Sequence, residues 1–164
     1  MGSFSRKLEV FWEVFTERGG YNRVLEGLRN TVIIAVIGLV IGLVLGTLIA
    51  TVRVVPKYKR LPRILDKICD VYVALFRGTP IVVQLLVGYY VLLPLLGVNL
   101  PPLNICIIVF GLNSGAYVSE IIRAGILSID KGQSEAGRSL GLNSAQTMFG
   151  IVMPQAIKNI LPAL

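Results

Sequence analysis

The 164-residue chain contains no histidine, only two cysteines and a single tryptophan. Without histidine, the commonest general base and metal ligand at neutral pH is missing. Cys69 and Cys106 lie far apart with no paired spacing, so neither a metal site nor a disulfide framework is indicated, and both read as packing residues. No nucleophile, base and orienting acid can be assembled, so no catalytic residue is assigned and membrane-bound enzyme chemistry is disfavoured. No G-x-x-x-x-G-K-[ST] run occurs, so the chain cannot cradle a nucleotide phosphate by that route. The N-terminal region has no apolar core ending in a small-residue cleavage site before Gly27, and no cleaved signal peptide is expected. Acidic residues are also scarce, nine against sixteen basic ones, giving a net charge of +7. The basic residues cluster beside apolar runs, where they orient a chain in a bilayer, so nucleic acid is not expected as a partner.

What the sequence has in abundance is apolar surface. Hydrophobic residues make up 54% of the chain and the mean hydropathy is +0.75. Several uncharged runs are too long for a soluble core helix, which predicts an all-α, polytopic membrane protein and excludes a large water-soluble core. Residues 1–30 read as an N-terminal interfacial segment, with Leu8, Phe11, Trp12 and Phe15 on one helical face. Thr31 to Val52 carries no charge and is long enough for a first crossing. Within it Gly38, Gly42 and Gly46 recur every fourth residue, a smooth stripe where a second helix backbone can approach closely.

Arg53 to Lys67 is the densest basic loop, which places it on the cytoplasmic side. Residues 94–104 contain no charge and are expected outside, one crossing away, with the N-terminus also outside. Ile64, Leu65, Ile68, Tyr72, Leu75 and Phe76 follow the 3.6-residue period, so the approach to the second crossing is amphipathic and runs along the inner surface. The uncharged run Gly78 to Leu96 is the second crossing, with Thr79-Pro80 at its inner end. The third runs from about Leu103 to Ile122. Asn113, Tyr117 and Glu120 share one face of it, and polar groups at membrane depth normally face a bundle interior or a water-filled path. Asn113 and Tyr117 fit path lining or interhelical hydrogen bonding equally, whereas Glu120 fits an ion pair with Arg123 one turn on. Gln84, in the second crossing, joins them as a path candidate.

Ser128 to Pro154 is a polar island between apolar segments. Asp130 can cap a helix N-terminus with Gln133 reaching back, and Gly141 sits where a left-handed residue ends that helix. Asn143 and Gln146 repeat the start signal, and Pro154 suits a first turn. On Glu135, Ala136, Gly141, Ile151 and Pro154 this stretch resembles the EAA loop of ABC importer permeases, with Gly137 in place of the second alanine and Met153 in place of the leucine before proline. Phe76 to Pro80, FRGTP, and Asn113 to Ile126, NSGAYVSEIIRAGI, resemble the permeases for polar amino acids within that family.

The resemblance covers roughly Tyr21 to Leu164 and implies a type I ABC importer transmembrane domain over residues 31–164, apparently truncated before the last transmembrane helix. It implies a cytoplasmic coupling loop, 128–154, in which Gly132, Gln133, Glu135, Ala136, Gly137, Arg138, Leu140, Gly141 and Leu142 meet an ATPase subunit. It also implies a multi-pass subunit of the cytoplasmic membrane that binds no cofactor itself. ATP and Mg would be held by two ATP-binding subunits, beside a second permease copy, an extracytoplasmic substrate-binding protein and membrane lipid. An ion-coupled secondary transporter would want midplane ionisable residues and internal repeats, and the chain shows one acid near the inner end and no repeat. A membrane scaffold that recruits a cytoplasmic protein through the 128–154 loop is the remaining alternative.

Overall fold

A computed structural model describes residues 3–17, 19–54 and 60–164. Residues 55–59, part of the basic loop, lie outside the described residues. The described chain is helical: α1 (Ser3–Trp12), α2 (Gly20–Val54), α3 (Arg60–Gly78), α4 (Ile81–Val87), α5 (Leu93–Leu95), α6 (Pro102–Leu127), α7 (Lys131–Ser139), α8 (Ser144–Thr147) and α9 (Met153–Ile160). π turns at Gly88–Leu92 and Met148–Val152 carry α4 into α5 and α8 into α9 without a break.

The helix that carries the first crossing begins before the uncharged run. Gly19 takes a φ of 69° and breaks the chain there, and α2 then runs for 35 residues, about 52 Å at 1.5 Å per residue. Arg23, Glu26 and Arg29 therefore sit on the same rod as the apolar run, and the boundary drawn at residue 30 is not a helix boundary. Helix propensity continues through these charged residues, because nothing between Gly20 and Thr31 stops a helix. Phe11 stacks on Phe15, just beyond α1, and Trp12 stands edge-on to both; Phe11 and Trp12 are exposed and Phe15 half-buried.

α2 and α6 form the centre of the fold. The buried residues of α2 are Gly38, Gly42, Gly46 and Ala50, the small residues of one stripe. A Cβ on Gly38 would lie 3.3 Å from Phe110 Cβ, one on Gly42 3.2 Å from the Gly115 amide nitrogen, and one on Gly46 2.6 Å from Val118 Cβ. The partner positions climb as the glycines climb, so the two helices run parallel and a single return crossing separates them. The stripe is reciprocated: a Cβ on Gly111 of α6 would lie 2.7 Å from Ile41 Cγ2, and one on Gly115 3.2 Å from Leu45 Cβ. Close backbone approach over small residues is how helices associate where lipid removes the hydrophobic drive between them.

α3 meets the rod Ile81–Leu95 at a bend of 106°, so the break falls at Thr79-Pro80, between the amphipathic approach and the second crossing. Proline cannot donate to the carbonyl four residues back, which ends α3 there. Leu93 packs with Ile105 and Val109 of α6 to form a small core, flanked by Ile81, Leu85, Tyr89 and Leu100. α2 and α6 are each long and apolar enough to cross a membrane, and the bent pair makes a third span if it counts as one. At the far end of α6, a Cβ on Gly125 would lie 3.1 Å from Ile160 Cδ1, so α9 folds back against it.

Candidate functional site

The 128–154 segment forms a capped helical hairpin at the end of α6. The Asp130 carboxylate accepts the Gly132 amide at 2.6 Å. Gln133 does not reach back to Asp130 as expected; its side-chain oxygen accepts a hydrogen bond from Gln155 Nε2 at 3.2 Å, tying α7 to α9. The reciprocal box forms at the second start instead, where Gln146 N donates to Asn143 Oδ1 and Asn143 N donates to Gln146 Oε1, both at 2.9 Å.

Between the two starts α7 ends in a Schellman arrangement: Leu142 N donates to Gly137 O at 3.1 Å and Gly141 N to Arg138 O at 3.0 Å, with Gly141 at φ 84°. Gly137 is buried because a Cβ there would come 2.8 Å from Ile151 Cδ1 and 3.1 Å from Thr147 Cγ2. The Thr147 hydroxyl beside it has no hydrogen-bond partner among the described residues. Packing Gly137 inward turns Gln133, Glu135, Ala136 and Arg138 outward, with Gly132 at the exposed first turn. Leu140 projects beyond them, 81% exposed, while Leu142 is half-buried. An apolar knob ringed by charges of both signs is suited to a groove on another protein.

A second cluster sits at the bend. The Phe76 carbonyl, four residues before Pro80, accepts from Gln84 Nε2 at 2.9 Å and from Asn113 Nδ2 at 3.2 Å. Gln84 Nε2 also lies 3.0 Å from Thr79 O and 2.9 Å from Thr79 Oγ1, and Asn113 Nδ2 donates to Gln84 Oε1 at 3.1 Å. Backbone released by a helix break at membrane depth needs such partners, since no water supplies them in lipid. Two path candidates, Gln84 and Asn113, are thus interhelical fasteners. Asn113 and Tyr117 also line an open cavity of about 520 Å³ with Arg77, Gly78, Thr79, Pro80 and Ile81. Gln84 lines a different, apolar cavity of about 390 Å³ that includes Leu75, Val83 and Leu112. Tyr117 is exposed and the Arg77 guanidinium stands 5.3 Å above its ring. The Tyr72 hydroxyl donates to the Leu112 carbonyl, pinning α3 to α6.

Glu120 is the centre of an ion cluster. It receives Arg53 Nη1 at 2.6 Å and Arg123 Nη2 at 3.0 Å, with Arg77 Nη1 at 3.9 Å. Arg53 spans to Asp70 at 2.7 Å, so α2, α3 and α6 are joined at one level. The Arg123 partner was legible from its three-residue spacing. Arg53 and Asp70 were not, because nothing in the sequence says which residues of other helices reach Glu120. The Gly111 and Gly115 half of the α2–α6 interface was open to the four-residue spacing rule applied to α2.

Residues 42–164 match the family described as binding-protein-dependent transport system inner membrane component. The chain belongs to this family. Among curated relatives, it is 50% identical over 97 residues to the arginine transport system permease protein ArtQ of Bacillus subtilis, covering 59% of this chain and 44% of ArtQ. It is 47% identical over 102 residues to the putative glutamine transport system permease protein GlnP of Rickettsia bellii, covering 62% of this chain and 47% of that one. A crystal structure of an amino acid ABC transporter with histidines matches with a TM-score of 0.78 and 38% identity, over 91% of this chain and 67% of its own. This family member thus has the type I importer transmembrane fold, while spanning less than half the length of ArtQ and GlnP.

Proposed function

We propose that the chain is the membrane-spanning part of an ABC importer permease for polar amino acids. The observation that carries this reading is the capped hairpin at the end of α6, which holds Glu135, Arg138 and Leu140 outward on the family's EAA pattern. ATP and Mg are bound by two partner ATPase subunits, which drive transport by closing and opening against this hairpin. A second permease copy completes the path, and an extracytoplasmic binding protein supplies substrate. The relatives are named for transport of arginine, glutamine and L-cystine, and these define the substrate class tested.

The protein lies in the cytoplasmic membrane with its N-terminus outside and the hairpin inside, an orientation supported by the basic 53–67 loop and the uncharged 94–104 loop. Asn113 and Tyr117 border the path, where they open onto the cavity beside the bend. Residues 1–30 make up the outer, interfacial part of the chain. The test is uptake of labelled arginine, glutamine and cystine by proteoliposomes holding the full-length protein with its ATPase and binding protein. Uptake of one of them that requires ATP is expected; uptake driven by an ion gradient without ATP, or none of any, would overturn the reading.

A further inference from the structure

Helix α3 divides into three faces. Asp66 and Val73 are buried and Pro62, Cys69 and Phe76 half-buried, making the side that packs on the bundle. Leu61, Ile64, Ile68, Val71 and Leu75 form a second side, each between 56% and 69% exposed, with Leu75 at its end bordering the apolar cavity beside the rod. Arg60, Arg63 and Lys67 are exposed along a third side that flanks the apolar one, all in the N-terminal half of the helix.

The bend says what covers the apolar side. Ile81–Leu95 is about 22 Å long at 1.5 Å per residue, short of a hydrocarbon core of about 30 Å. A bend of 106° lays α3 in the membrane plane when that rod tilts by about 16° from the normal, within the ordinary range for a membrane-spanning helix. The missing depth of roughly 8 Å is then made up if the end of α3 and the Thr79-Pro80 corner lie below the surface, which matches the 5–10 Å to which in-plane amphipathic helices sink. Lying flat, α3 holds its apolar stripe and the basic residues beside it at one level, close to the phosphates.

We propose that α3 is a docking surface for anionic phospholipid of the inner leaflet: its Leu61–Leu75 stripe sits among acyl chains, and Arg60, Arg63 and Lys67 select negatively charged headgroups. Attraction of basic side chains to an anionic leaflet falls off within a Debye length, so only residues held at the surface contribute, as these are. The bound lipid also bears on the site, because the same helix carries Asp70 to Arg53 and Arg77 toward Glu120. This inference rests on the inner placement of α3 in the proposed orientation, but its test reads lipid contact rather than transport, so the two fail separately.

The full-length protein, in a background free of other tryptophans including Trp12, receives one tryptophan at Ile68. It is reconstituted in vesicles of phosphatidylcholine and phosphatidylglycerol in which one or the other lipid carries brominated acyl chains. Quenching at position 68 is expected, with none for a tryptophan at the hairpin residue Ala145. At equal mole fraction, brominated phosphatidylglycerol should quench roughly two-fold or more better than brominated phosphatidylcholine, and Arg60→Gln/Arg63→Gln/Lys67→Gln should bring the ratio to about one. Raised salt should shrink the preference in the unsubstituted protein alone. An unquenched tryptophan at 68, a ratio of one before the basic residues are replaced, or shielding that appears only when the ATPase subunit is added would overturn the proposal.

Discussion

The Asn113 side-chain amide donates to the carbonyl of Phe76, the helical acceptor that Pro80 leaves without a donor. This bond, with those of Gln84, holds the bend between α3 and the second crossing. Asn113→Leu removes two of these bonds and leaves a carbonyl less well satisfied, at a cost of about 1–3 kcal/mol. We expect a lower unfolding temperature in detergent and impaired uptake, with Ile108→Phe, at an exposed position of the same helix, close to normal in both. Gln84→Leu should act on the same network, so the double variant should cost less than the sum of the two singles. Full additivity in thermal unfolding would mean that the two residues do not share a role.

The α2–α6 interface gives a sharper steric test. A Cβ on Gly46 meets Val118 at 2.6 Å, at a branched carbon that has no flexible end to move. Gly46→Leu should therefore separate the helices and destabilise the fold by about 1–3 kcal/mol or more. Gly27, where a Cβ meets nothing within 4 Å, should accept alanine or leucine freely. Proteolysis or thermal unfolding in detergent separates the two, and equal tolerance would remove the stripe as the basis of packing.

Periodicities proved readable where the physics is local. The glycine stripe, the left-handed Gly141, the Asn143–Gln146 box and the run of helices all follow from spacing along one chain segment. Failures came where tertiary partners decide. Gln133 was expected to cap its own helix and was captured by Gln155 instead. The break at Thr79-Pro80 is legible from the proline and the change of periodicity, but its angle is not, because that angle depends on Gln84 and Asn113 being present to hold the freed carbonyls. The helix start at Gly20 is not legible from the charge pattern, because charge marks where a helix leaves the membrane, not where it begins.

Glu120 offers a prediction about charge. Arg53 is nearly enclosed, its side chain 9% exposed, and depends on Glu120 and Asp70 for its counter-charge. Glu120→Gln leaves Arg53, Arg77 and Arg123 around a neutral side chain, and removing one partner of an enclosed pair costs more than the pair itself contributes. We expect a loss on the order of 2–4 kcal/mol, against less than about 1 kcal/mol for Arg123→Gln, whose side chain is 35% exposed. Chemical denaturation of the two variants in detergent measures the difference, and equal effects would show that Arg53 finds its balance elsewhere.

The hairpin supplies the test closest to function. Gly141 holds φ at 84° with open space where a side chain would project, so a substitution there is penalised by the backbone alone. Gly141→Val should cost about 1–2 kcal/mol or more locally, unravel the Leu142-to-Gly137 bond and re-aim Leu140 without touching the membrane helices. Gly137 is limited in the opposite way, by space: its nearest neighbour is the mobile end of Ile151, so alanine fits after a small shift while valine also collides with Thr147. In full-length protein all three variants should insert normally. Gly137→Ala should retain the ATPase subunit through purification and keep uptake near the unsubstituted level, whereas Gly141→Val and Gly137→Val should lose the subunit and uncouple ATP hydrolysis from uptake. If Gly141→Val keeps both at full strength, Leu140 and its surrounding charges are not the contact through which the ATP cycle reaches the membrane.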